Sequence, residues 1–138
     1  MSVVLDSSIV GCSCFPDEAS PVADATLSAI AEDEAIVPAV WWFEARNLLI
    51  TGERVGRMNP VGTTGFLADL EALPIRIDRK PASDAVLTCA RTHRLTIYDA
   101  AYLELALRID APLATLDQEL ARAARAARVA LLGEGDRR

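Results

Sequence analysis

The chain has 138 residues, 51% hydrophobic and 25% charged, with a formal net charge of −6. That length and make-up fit one folded domain around a single core and exclude a protein that binds nucleic acid by bulk charge alone. No stretch reaches the roughly 18 uncharged apolar residues that a membrane-spanning helix needs, and an opening of MSVVLDSS has neither the basic flank nor the apolar run of a signal peptide, so a cytoplasmic protein is expected.

In chain order, SVVL (2–5) is a short apolar run with β-branched residues and is predicted as a buried strand. DEASPVADATLSAIAEDE has helical period, AIVP (35–38) is a second strand stopped by Pro38, and AVWWFEARNLLITGER is a helix with apolar residues at 41, 45, 48 and 49. RVGRMNPVGTTG, rich in Gly and Thr, is predicted as a loop before the helix FLADLEAL. LPIRI (73–77) is the third strand, PASDAVLTCARTHR a helix, LTIYDAAYLELALR (95–108) mostly another, APLAT (111–115) a fourth strand, DQELARAARAAR a helix and VALL (129–132) a fifth strand. Five short strands alternating with helices predict one α/β domain over 1–132, with a mostly parallel sheet covered on both faces and a frayed tail at 133–138.

In such a sheet the functional crevice lies beyond the carboxyl ends of the strands. Asp6 directly follows the first strand, Asp117 lies two residues after APLAT, Asp99 opens the helix after LTIY, and Glu44 sits about a turn into the helix after the second strand. An Asp at a helix start is ordinarily a cap. Here Thr115 and Gln118 have capping-box spacing, which would leave Asp117 spare, and Thr96 can cap the helix that carries Asp99. Glu44 has Val40, Trp41, Asn47 and Leu48 at helical spacing and no basic neighbour among them. Either it lies on the exposed face or a cation meets it from elsewhere in the fold.

Clustered carboxylates raise one another's pKa, and a cation relieves the repulsion. Oxygen donors without His or Cys suit Mg²⁺ or Mn²⁺, ions that also attract phosphate, so the chemistry indicated is phosphodiester hydrolysis. Other features are read as structural. Cys12, Cys14 and Cys89 match neither a redox pair nor a zinc site, and His93 near a helix end is a surface or capping residue. Asp78 is read as a solvated turn residue beside Arg79 and Lys80, Trp41–Phe43 as core or interface, and Arg122, Arg125 and Arg128 as a solvated stripe.

VVLDSS, VPAVWWFEARNLL, LTIYDAAYLELAL and LATLDQEL resemble, in order, the four acidic motifs of PIN-domain ribonucleases, closest to the VapC-type toxins of bacterial toxin–antitoxin pairs. The resemblance covers nearly the whole chain, and Tyr-Asp-Ala-x-Tyr is its most specific motif. It implies a PIN-like three-layer α/β/α sandwich of about five strands, with Asp6, Asp99 and Asp117 as metal-binding carboxylates. Glu44 would complete the site, holding the metal through a water or helping to activate the attacking water, while Ser8 and Thr115 would support it. It further implies RNA cleavage to a 5′-phosphate and a 3′-hydroxyl, a Mg²⁺ or Mn²⁺ cofactor, a homodimer and a VapB-type antitoxin partner. Two alternatives remain open: a catalytically idle PIN-fold module that works by binding a partner, and a haloacid-dehalogenase-like phosphatase. The second would want Asp rather than Ser at position 8.

Overall fold

The computed structural model describes residues 2–18 and 20–133. Its central sheet has four parallel strands, β1 (Ser2–Leu5), β2 (Glu34–Pro38), β3 (Ile75–Asp78) and β4 (Leu113–Ala114), in the order β3-β2-β1-β4. Val3, Val4 and Leu5 are all buried, as expected of a central strand covered on both faces.

From β1 the chain passes through α1 (Ser7–Cys14), a short 3-10 turn (Pro16–Glu18) and α2 (Pro21–Glu32) to β2, then through α3 (Val40–Arg54) and α4 (Pro60–Glu71) to β3. It returns through α5 (Ser83–His93) and α6 (Ile97–Ile109) to β4 and ends in α7 (Gln118–Ala126). The first two crossovers step in one direction along the sheet and the third steps back past β1. Right-handed connections therefore place α1–α4 on one face and α5 and α6 on the other, giving three layers. The direction of winding reverses between β1 and β4, so the switch-point crevice opens at the carboxyl ends of those two strands.

The four-strand count corrects the expected five. VALL contributes a single bridge, Leu113 to Leu131, because β4 is two residues long and the chain leaves α7 through Arg128 in a left-handed conformation (φ 62°). The expected loop up to residue 65 is also shorter: α4 starts at Pro60, where the Asn59 side chain accepts a hydrogen bond from Gly62 N at 2.7 Å. Asn before Pro is a helix-start signal that the Gly and Thr content obscured. Residues 7–14, unassigned in the sequence reading, form α1. Of the tail expected at 133–138, residues 134–138 lie outside the described residues.

Among the described residues no helix is long and apolar enough to cross a membrane. Trp41 is core, whereas Trp42 and Phe43 are exposed and meet edge to face at 5.0 Å. Asp78 is not free in solvent: Arg108 holds it through two bonds of 2.6 and 3.2 Å and also holds the buried Glu104 at 2.7 Å.

Candidate active site

At the switch point, Asp6 comes directly off β1 and is 5% exposed. Its Oδ2 accepts from Thr115 Oγ1 at 2.6 Å and from Ser8 Oγ at 2.8 Å, while Oδ1 meets Ser7 Oγ at 3.5 Å. Each of the two closer hydroxyls is itself oriented by the backbone after β4: Leu116 N donates to Ser8 Oγ (2.9 Å) and Asp117 N donates to Thr115 Oγ1 (3.0 Å). A hydroxyl that accepts from a fixed amide is left to donate its own proton, so the Asp6 carboxylate faces two preset donors.

Asp117 caps α7, its Oδ1 accepting from Leu120 N at 2.9 Å. That corrects the expected Thr115–Gln118 capping box. The Thr115 hydroxyl is committed to Asp6 because β1 and β4 are neighbours, which makes the long-range contact available. Asp117 is therefore not spare, though one oxygen spent on a cap leaves the other for a second task. On α6, Thr96 is the cap as expected: its Oγ1 accepts from Asp99 N (3.1 Å), so the Asp99 side chain is not needed to close the helix.

Glu44 does not lie on the exposed face. It is half-buried, no ion pair of the described residues includes it, and its Oε1 accepts from Tyr102 Oη at 2.5 Å. Tyr102 was not singled out from sequence. The available signal was its spacing, three residues after Asp99 and so on the same helix face, within the motif already noted.

The four acids share one electrostatic field. Asp99 is pushed up to about 6, first by desolvation and then by the charges of Asp117, Asp6 and Glu44. Glu44 is raised by burial, with Asp6 and Asp117 adding to it and the Tyr102 bond opposing. Burial also raises Asp6, against the pull of the Thr115 and Ser8 hydroxyls. The structure thus brings together Asp6, Glu44, Asp99 and Asp117, with Ser8 and Thr115 beneath them. Asp78 stands apart with Arg108. A groove of about 570 Å³ opens beside Ser7 and Glu44, walled by Phe43, Arg46, Asn47 and Ile50.

Among the described residues no three Asp, Glu, His or Cys side chains close into a cage around an ion. The donor set is nevertheless all carboxylate and hydroxyl oxygen, and the acids disfavour one another's charge. That fits a hard divalent cation of the Mg²⁺ kind, which keeps several waters and needs only one or two direct carboxylates.

Fold and site together define an α/β protein with an acidic, oxygen-only centre at the switch point of a parallel sheet. A family model described as the PIN domain matches residues 3–126, and the chain belongs to that family, on its VapC-type ribonuclease branch. It is similar to Ribonuclease VapC3 of Pyrobaculum aerophilum, with 31% identity over 125 residues, 88% of this chain and 93% of the relative. The crystal structure of PAE2754 from Pyrobaculum aerophilum shares the fold at a TM-score of 0.69 and 23% identity, covering 89% of this chain and 87% of that one.

Proposed function

We propose that this chain is a Mg²⁺- or Mn²⁺-dependent endoribonuclease, the toxin of a toxin–antitoxin pair. The observation that carries the proposal is the mutual field of Asp6, Glu44, Asp99 and Asp117, four acids from remote segments that form no ion pair among the described residues. Asp6, Asp99 and Asp117 would hold the cation directly and Glu44 would do so through a water. When bound, the ion supplies charge neutralisation for the phosphodiester and a lowered pKa for water.

The chain's own groups then have distinct tasks. Ser8 and Thr115 hold Asp6 fixed, and their hydroxyls offset part of the rise that burial imposes on its pKa. Glu44, whose pKa burial raises, orients the attacking water and takes up its proton. Water adds to phosphorus as it gives its proton to Glu44, the bond to the 3′ oxygen breaks, and that oxygen takes a proton from solvent, so the products carry a 5′-phosphate and a 3′-hydroxyl. Similarity to the VapC-type relative supports a VapB-type antitoxin partner; a homodimer in the cytoplasm is part of the same proposal.

The deciding experiment incubates the antitoxin-free protein with total cellular RNA in Mn²⁺ or EDTA. Discrete cuts that need Mn²⁺ and are lost in Asp99→Asn support the proposal. Intact RNA at every Mn²⁺ concentration, with tight binding of a small partner protein, would establish the idle-module alternative instead.

A further inference from the structure

Asp6 directly follows β1 and Asp117 caps α7, each fixed by short hydrogen bonds to hydroxyl or backbone groups. Glu44 reaches the same place from the flank of α3 on a longer side chain with more rotatable bonds. A side chain of that kind loses conformational freedom when it is held in one geometry. The group that meets it is the phenol of Tyr102, 0% exposed in the core, whose hydroxyl donates to Oε1 at 2.5 Å. Any acceptor would satisfy a buried phenol. Here the acceptor is a site acid, and the same helix presents Asp99 one turn earlier. α6 is buried along Tyr102–Ala106 and carries Asp99 one turn before Tyr102, so the Tyr102 bond ties Glu44 to the helix that presents Asp99.

We infer that Tyr102 is a positioning residue of the carboxylate centre, its hydroxyl holding Glu44 in register with Asp99 for the divalent cation. This rests on the nuclease reading above. The hydroxyl acts on the centre through Glu44 and not on the reacting atoms; the Ser7 side chain is a further hydrogen-bonding neighbour of both groups.

Tyr102→Phe keeps the ring in the core and deletes only the hydroxyl. Mn²⁺ uptake by the RNA-free protein, followed by electron paramagnetic resonance of the free ion, is expected to weaken about tenfold, as when an outer-shell partner of a ligand is removed. Glu44→Gln is expected to weaken it at least as much, and the double variant to be no weaker than Glu44→Gln. A second readout avoids the Phe variant. The chain has two tyrosines, Tyr98 and Tyr102, so fluorotyrosine labelling gives two assignable ¹⁹F resonances. The Tyr102 resonance is expected to move on adding Mg²⁺ in the wild type and to stay still in Glu44→Gln. Wild-type Mn²⁺ affinity in Tyr102→Phe, penalties that multiply in the double variant, or a Tyr102 resonance indifferent to Mg²⁺ would overturn the inference alone. A wild type that takes up no Mn²⁺ would overturn the nuclease reading and this inference with it.

Discussion

The hydroxyl of Thr115 joins the two strands that frame the site: it donates to Asp6 Oδ2 and accepts from Asp117 N. Thr115→Val keeps the shape and removes both bonds, so metal-dependent cleavage should fall by about 10- to 100-fold, the usual cost of losing an outer-shell partner. Titrating activity against Mn²⁺ checks this, and the loss should shrink at saturating ion. Asp99 gives a prediction of opposite sign for stability. Its folded value, about 6, lies above the ordinary 3.8, so the folded chain binds this proton more tightly than the unfolded chain does. The ionised carboxylate therefore costs metal-free stability; the cost is absent below pH 3.8, grows with pH and is complete above about 6. Asp99→Asn should melt higher than the wild type in EDTA at pH 8, and the difference should narrow towards pH 5. A variant that melts lower at pH 8 would mean that the acids do not repel one another there.

At the level of elements, α4 tests the Asn59 cap. Asn59→Ala removes the acceptor for Gly62 N and should lower stability by about 1 kcal/mol in a urea titration while leaving RNA cleavage unchanged. The elements also show why some of the site was legible and some was not. Asp6 and Asp117 follow apolar runs closely, so their place at the sheet edge can be read from local pattern. The Thr96 cap is local too, and the chain keeps it. Thr115 was misread because T-x-x-Q spacing is local, whereas its real acceptor lies 109 residues away, across a strand pair that only folding creates. Glu44 has its partner 58 residues away, and no spacing rule along a single helix reaches that far. VALL has strand composition but only a two-residue neighbour to pair with, a limit set by topology rather than by its own residues.

For the molecule as a whole, Arg108 ties α6 to the end of β3 through Asp78 and satisfies Glu104, which is 3% exposed and also accepts from Ala82 N at 3.3 Å. Arg108→Met would strand that buried charge, a loss of about 3–5 kcal/mol that a denaturant titration at pH 7 would detect. Because Arg108 holds Asp78 below the ordinary 3.8, this pair contributes fully above that pH and its contribution fades as the medium is acidified through the lower, folded value. The wild type should therefore lose more stability than Asp78→Asn between pH 5 and pH 2. The short outer strand has a consequence of its own. Thr115 and Asp117 hang from β4, the shortest strand of the sheet, which among the described residues is braced on its outer side where Leu132 N meets Leu113 O and Leu113 N meets Ala130 O. Clipping the chain after Arg128 would unfasten that margin while leaving Asp6, Glu44, Asp99 and Asp117 in the chain. Amide exchange at Leu113 and Asp117 should then quicken long before global unfolding, so that proteolysis at the carboxyl terminus would slacken half of the acidic centre from a distance.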